Sequence, residues 1–213
     1  MTGNVKEDFS WSRFYSCRKE IRKAYPSVYN LKIKKKILDV IVEELKEGNK
    51  ILDVGAYNRD LNKKIIDKFP LVTYKTMDID KAQPHNYYSL DEISESFDII
   101  ILSEVIEHLE FNEGISMLQK LFDLLNIGGK IIVSTPNIHH PNRYWWDHDH
   151  KTPYRYDEMG GLLLAAGFRI EKMFRTYNDQ VFRRLFRMYV AIHLHRYLDI
   201  DFAKSIIVVA VKK

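Results

Sequence analysis

Phe97-Asp98-Ile99-Ile100-Ile101-Leu102-Ser103-Glu104-Val105-Ile106-Glu107-His108 is the stretch that decides the fold. Its apolar run, Ile99 to Leu102, is short, unbroken and bounded by polar residues, the pattern of a strand buried on both faces of a parallel sheet. Two carboxylates and an imidazole follow at once: Glu104, Glu107 and His108. In open α/β sheets ligands bind at the carboxyl ends of the strands. Polar chemistry at the mouth of a buried strand therefore marks a candidate site.

On either side helices and strands alternate. Residues 10–25 and 31–46 read as helices separated by Pro26; in the second, Ile37, Ile41 and Leu45 recur with Leu38 and Val42 beside a lysine-rich face. Lys50 to Gly55 is a strand running into a turn, residues 60–69 a helix stopped by Pro70, and Leu71 to Ile79 a second strand. After a compact stretch (81–96) and the strand at 97–103, residues 112–125 form an amphipathic helix closed by Asn126-Ile127-Gly128-Gly129. Lys130 to Thr135 is a buried strand, 136–156 a polar and aromatic loop, 157–166 a helix and 168–176 a strand. A basic amphipathic helix (179–198) and a last apolar strand, Ser205 to Val211, complete the chain. This alternation predicts a parallel-dominated α/β sheet. We expect one domain over residues 1–213: N-terminal helices to residue 47, a core over 48–176, a helical insertion over 177–204 and a final strand over 205–213.

Bulk properties narrow the class. A chain of 213 residues can bury a sizeable core. No window approaches the roughly 20 apolar residues of a membrane span, and the first residues lack the order of a secretory signal. Cys17 is the single cysteine, so no disulfide within the chain is expected and a reducing, cytoplasmic setting is the simplest reading. A net charge of +4 is mild and does not by itself call for nucleic acid.

Five segments in this order resemble the class I S-adenosylmethionine-dependent methyltransferases: I-L-D-V-G-A (51–56), M-D-I-D (77–80), F-D-I-I-I-L-S-E-V-I-E-H-L (97–109), L-L-N-I-G-G-K-I-I-V-S-T-P-N (124–137) and A-A-G-F-R-I (165–170). The likeness covers residues 35–175 and the last strand. It implies a Rossmann-like, seven-stranded, mostly parallel sheet with its last strand antiparallel and helices on both faces. It also implies that S-adenosylmethionine is held by Asp53, Gly55, Ala56, Tyr57, Asp78, Ile79 and Ser103. Gly55 would let the backbone approach the methionine moiety, and Asp78, with Asp80 as the alternative, would accept the ribose hydroxyls. The adenine would lie against Ser89 and Leu90. One departure stands out: where the family's first loop carries further glycines, this chain has Tyr57 and Arg59. A closed loop of that kind would leave a binding or scaffold protein, the alternative to an enzyme.

In helical geometry Glu104, Glu107 and His108 would share one face. Two carboxylates and an imidazole suit a hard divalent ion such as magnesium, with His150 of the later loop as a fourth ligand. The small-RNA 3′-terminal 2′-O-methyltransferases and the ubiquinone-pathway O-methyltransferases resemble this E-x-x-E-H element, which implies a metal that orients the acceptor hydroxyls. Without metal, His108 as general base, with Glu107 and His150 beside it, is the alternative; an ordinary Glu104–His108 helix pair is the blandest reading.

The loop from Asn137 to Tyr156 holds four histidines and two tryptophans. It resembles loops of bacterial methyltransferases acting on sugars or glycolipids, and Trp145-Trp146 could stack on a sugar. The expected acceptor is a small molecule or glycan, methylated on oxygen, with RNA as the second choice. Residues 181–198 place Arg183, Arg184, Arg187 and Arg196 beside Phe182, Leu185, Phe186, Tyr189 and Ile192. Three readings of that arm are open: a cap on the mouth or on another subunit, a peripheral contact with a membrane surface, or an RNA-backbone contact.

Overall fold

The computed structural model describes residues 10–58 and 60–213. Seven strands form one sheet: β1 (Lys32–Lys34), β2 (Lys50–Val54), β3 (Thr73–Met77), β4 (Phe97–Ser103), β5 (Leu125–Pro136), β6 (Arg169–Thr176) and β7 (Ser205–Val211). Their order is β1-β6-β7-β5-β4-β2-β3. β7 runs antiparallel to both neighbours, β5 and β6, and the other pairings are parallel.

The unbroken apolar runs follow from cover on both faces. From β4, Ile100 and Leu102 enter a core with α1 (Trp11–Ala24), α4 (Phe111–Leu124) and α5 (Tyr156–Ala165), through Phe14, Ile21, Leu118, Leu121, Met159 and Leu162. Ile99 and Ile101 point the other way, into a core closed by Val40 and Ile41 of α2 (Ile37–Glu44) and Ile65 of α3 (Asp60–Ile66). No helix among the described residues is long and apolar enough to cross a membrane.

Three expectations are corrected. Residues 31–46 are not one helix: Lys32-Ile33-Lys34 pairs with Phe174-Arg175-Thr176 as an edge strand, and α2 begins only at Ile37. That pairing gives the backbone of β6 a partner its open edge would lack. Residues 126–129 do not merely close a helix; they form an irregularity inside β5, whose register shifts between Phe97 and Ile99. The third concerns residues 179–198, which divide into α6 (Val181–Leu185), a π-type turn over Phe186–Val190 and α7 (Ile192–Tyr197). The Ala191 N–H reaches back to the Phe186 carbonyl at 2.9 Å, the one-residue-wider bond that defines such a turn. The compact stretch 81–96 contributes one isolated bridge, Tyr87 to Met77.

A buried ionic knot fixes the segment before β7. Asp201 accepts from Arg175 Nη1 at 2.7 Å, Tyr177 Oη at 3.3 Å and Asn137 Nδ2 at 2.9 Å. Both charges are nearly excluded from solvent, so their geometry is set by these contacts.

Candidate active site

The carboxyl ends of β2, β3 and β4 open on one edge of the sheet. There a cavity of about 480 Å³ is lined by Lys36, Ile37, Asp53, Gly55, Ala56 and Ser103, among others. Asp53 belongs to β2 and is 3% exposed. Tyr74 Oη donates to it at 2.8 Å. Burial first, then the nearby Asp78 charge, pushes its carboxyl up to about 6. A buried carboxylate with one neutral donor is under-compensated and favours a cation in the cavity.

The turn after β2 is built for close approach. Gly55 has φ +74°, and a Cβ there would stand 2.3 Å from Val105 Cγ2. Tyr57, where the family resemblance leads one to expect glycine, keeps glycine-like geometry with φ +43° and a largely exposed ring. Its N–H donates to Asp78 Oδ2 at 2.8 Å, while Asp78 Oδ1 accepts from Asp80 N at 2.9 Å. The loop is thus rebuilt without collapsing. Arg59 lies outside the described residues. Ile79 is exposed, and Ser89 and Leu90 line a separate cavity of about 450 Å³ with Leu109, Asn112 and Met117.

Glu104 and Glu107 do not share a helix face. Glu104 has φ +53°, its N–H continues the sheet to Ser134 O at 3.0 Å, and only residues 106–108 form a short helical turn. Its carboxylate is taken by Arg143 Nη2 at 3.0 Å and Ser134 Oγ at 2.9 Å. Glu107, His108 and His150 do converge, with potential ligand atoms within 4.8 Å of one another. Glu107 is fully buried and neither carboxylate oxygen has a hydrogen-bond partner. Burial, then the Glu104 charge, pushes it up to about 9, so the carboxyl holds a proton at neutral pH.

The two imidazoles stand edge to face with centroids 4.8 Å apart. His150 Nδ1 lies 2.5 Å from the Tyr144 carbonyl, which can only accept; Nδ1 therefore carries the hydrogen and Nε2 is left as acceptor or ligand. His108 Nδ1 lies 3.1 Å from Asp149 Oδ1. The loop is pinned over the mouth because Lys151 and Thr152 donate their N–H groups to the Glu107 carbonyl at 2.8 and 3.0 Å. The orphaned Glu107 oxygens and the oriented His150 fit a divalent ion of mixed oxygen and nitrogen ligation, with Glu104 outside the set.

Sequence reasoning missed three partners. Tyr74 sits two residues before Thr76, the β3 residue paired with Asp53, so a diagonal same-face contact was open to a pattern search. Arg143 and the Tyr144 carbonyl left no such signal, because a loop's path sets them. Trp145 and Trp146 are exposed at the mouth.

A family model described as "Methyltransferase domain" matches residues 27–173. The fold is similar to a SAM-dependent methyltransferase from Archaeoglobus fulgidus, at TM-score 0.67 and 14% identity over 92% of this chain and 94% of that one. A putative methyltransferase from Bacillus halodurans matches at TM-score 0.58 and 15% identity, covering 83% of this chain and 98% of that chain. Magnesium protoporphyrin IX methyltransferase from Synechocystis, solved with SAM bound, matches at TM-score 0.55 and 14% identity, over 100% and 86% of the respective chains. Identities this low speak for the fold alone. A search of curated protein sequences returns no match.

Proposed function

Since the chain belongs to the methyltransferase-domain family, we propose that it transfers the methyl group of S-adenosylmethionine to a hydroxyl oxygen of a small acceptor, a sugar or glycolipid first. The observation that carries this reading is the buried, under-compensated Asp53 in a cavity beside the Gly55 turn, on the same sheet edge as the Glu107–His108–His150 trio. S-adenosylmethionine supplies, when bound, a methyl group made electrophilic by a positively charged sulfur. Everything else falls to the protein.

Asp53 faces the cationic amino-acid end, and Gly55 and Ala56 offer backbone with no bulky side chain in the way. Each Asp78 oxygen accepts one backbone N–H and keeps a lone pair for a ribose hydroxyl. With Nδ1 donating to Tyr144 O, the neutral His150 ring presents Nε2 as its acceptor, and in the metal-free reading Nε2 takes the acceptor's hydroxyl proton as that oxygen accepts the methyl group. His108, with Nδ1 3.1 Å from Asp149 Oδ1, is its neighbour at the mouth. The work of the fold is alignment and exclusion of water.

Alternatively, Glu107, His108 and His150 would hold a divalent ion; His150 Nε2 would then be a ligand and not the base, and the ion would displace the Glu107 proton and lower the pKa of a bound hydroxyl. Calorimetry of the full chain with S-adenosylmethionine and S-adenosylhomocysteine tests the nucleoside. No uptake of either by folded protein removes the enzyme reading and leaves a scaffold. Repeating the titration with magnesium, manganese or EDTA tests the ion, and a Glu107→Gln variant that responds to metal as the parent does rules out this site. Transfer of labelled methyl to sugar or glycolipid panels, with RNA as comparison, identifies the acceptor.

A further inference from the structure

Next to the nucleoside cavity lies a second hollow, of about 180 Å³, at the ends of β4, β5 and β6 and the start of β7. It shares Lys36, Ile37 and Ser103 with its neighbour. Four cationic side chains line it: Lys35, Lys36, Arg143 and Lys204. Its one carboxylate, Glu104, is already engaged by Arg143 and Ser134. Among the described residues the ammonium groups of Lys35, Lys36 and Lys204 make no ion pair or hydrogen bond. Elsewhere lysines at the sheet do find partners: Lys130 meets Glu44 and Glu171, and Lys50 and Lys75 meet Glu95. Unpaired like charges around a concave surface repel one another and focus a positive potential on it.

We propose that this hollow binds an anionic oxygen group of the methyl acceptor, a phosphate or a carboxylate, and so selects negatively charged acceptors. The inference rests on the methyl-transfer reading, because the hollow opens beside the nucleoside cavity and Glu104. Lys35 and Lys204 supply charge, Arg143 supplies a planar fork already fixed on one side by Glu104, and Ser134 and Thr176 line the wall between them.

The probes are sodium phosphate and sodium acetate, titrated at constant ionic strength into the full chain with and without saturating S-adenosylhomocysteine and followed by thermal shift and calorimetry. Saturable binding of either anion is expected, weakened about tenfold or more by Lys35→Ala/Lys204→Ala. Lys19→Ala/Lys23→Ala on the exposed side of α1 should leave it unchanged. Stronger binding of phosphate than acetate, or the reverse, tells which group the acceptor carries. Equal loss in both double variants means diffuse attraction and overturns the proposal, as does saturable binding that S-adenosylhomocysteine abolishes, since the hollow would then serve the nucleoside's own carboxylate. Failure of both anions to bind also overturns it. Failure to bind S-adenosylhomocysteine is read separately and strikes the methyl-transfer reading instead.

A different observation carries a second inference. The segment Val181–Leu198 exposes Phe182 (83%), Tyr189 (70%), Val190 (65%) and Tyr197 (85%). It does not cap the mouth with this surface. Arg187 is bound to Asp179 and lies 3.8 Å over Phe202, but Arg183 and Arg184 have no acidic partner among the described residues. Phe202 also meets His140, which meets the exposed Trp146, so a chain of rings joins the arm to the site loop. We infer that the arm docks on an anionic lipid surface, its aromatic side chains at the headgroup boundary and its free arginines on acidic headgroups. Residues 181–198 contain no acidic side chain, so a two-fold pairing of arm on arm would gather the free arginines of both copies with no counter-charge from the arm. Flotation with phosphatidylcholine vesicles, with and without phosphatidylserine, tests this. Binding only to the acidic vesicles is expected, weakened by salt and lost in Arg183→Glu/Arg184→Glu and in Phe182→Ser/Tyr197→Ser. No flotation, or an arm-dependent dimer in light scattering, overturns it.

Discussion

The Tyr57 N–H donates to the Asp78 carboxylate across 2.8 Å, tying the turn after the first core strand to the end of the second. The bond holds a tyrosine at φ +43°, where a side chain costs roughly 1–2 kcal/mol. Tyr57→Gly relieves that strain, loses little burial, and gives back roughly 0.5–1 kcal/mol in unfolded-chain entropy. Denaturant unfolding should show it neutral to about 1 kcal/mol more stable. Asp78→Ala removes the acceptor for two backbone N–H groups and should weaken S-adenosylhomocysteine binding about tenfold or more. Parent-like affinity in Asp78→Ala would show that the carboxylate serves only the loop.

Gly55 meets a harder limit. Alanine there combines a positive φ with a Cβ 2.3 Å from Val105 Cγ2. We expect Gly55→Ala to lose at least about 2 kcal/mol of stability. Gly55→Ala/Val105→Ala should recover the clash but not the backbone strain. The coupling energy from that double-mutant cycle separates the two costs, and additive effects would refute the contact.

Much of this architecture was legible because burial on both faces dictates unbroken apolar runs. Ile99 to Leu102 and Lys130 to Thr135 announce interior strands, and the resemblance supplied the antiparallel seventh. The edge strand Lys32–Lys34 was not legible: three residues carry no periodicity, and it exists because β6 offers an open edge. Spacing nominates Glu104, Glu107 and His108 with His150 as a fourth member, and the structure brings the last three of these together. Glu104 leaves the expected helix face because its N–H continues the sheet to Ser134 and Arg143 arrives from a distant loop. Both causes are tertiary and leave no trace in local spacing. Spacing alone gives the arm as one helix, since it cannot register a wider turn at Phe186–Val190.

The buried Arg175–Asp201 pair, 2.7 Å apart, joins β6 to the segment that leads into β7. Removing one partner strands the other charge in a site that water barely reaches. Asp201→Asn and Arg175→Met should each cost about 3–5 kcal/mol, read from chemical unfolding midpoints. The joint replacement Arg175→Met/Asp201→Asn should cost less than the sum, since it leaves no lone charge. Additivity would mean that the two act through different neighbours.

Asp53 gives the site a pH signature whose sign is unusual for a carboxylate. Its pKa is raised in the folded chain, from 3.8 to about 6, so the native state holds the proton more tightly than the unfolded chain does. The stabilisation this provides is complete below about pH 4 and is lost as pH rises through about 6, on the order of 3 kcal/mol in all. Asp53→Asn removes the loss, so above pH 6 the unliganded variant should be the more stable protein. Binding runs the opposite way. On our reading the ionised carboxylate attracts the ammonium of S-adenosylhomocysteine, which stays charged over this range. Affinity should therefore climb by up to about tenfold per pH unit below 6 and level off above it. Calorimetry from pH 5 to 7.5 should show that rise in the parent and a flat profile in Asp53→Asn. A parent profile that is already flat would place the ammonium elsewhere.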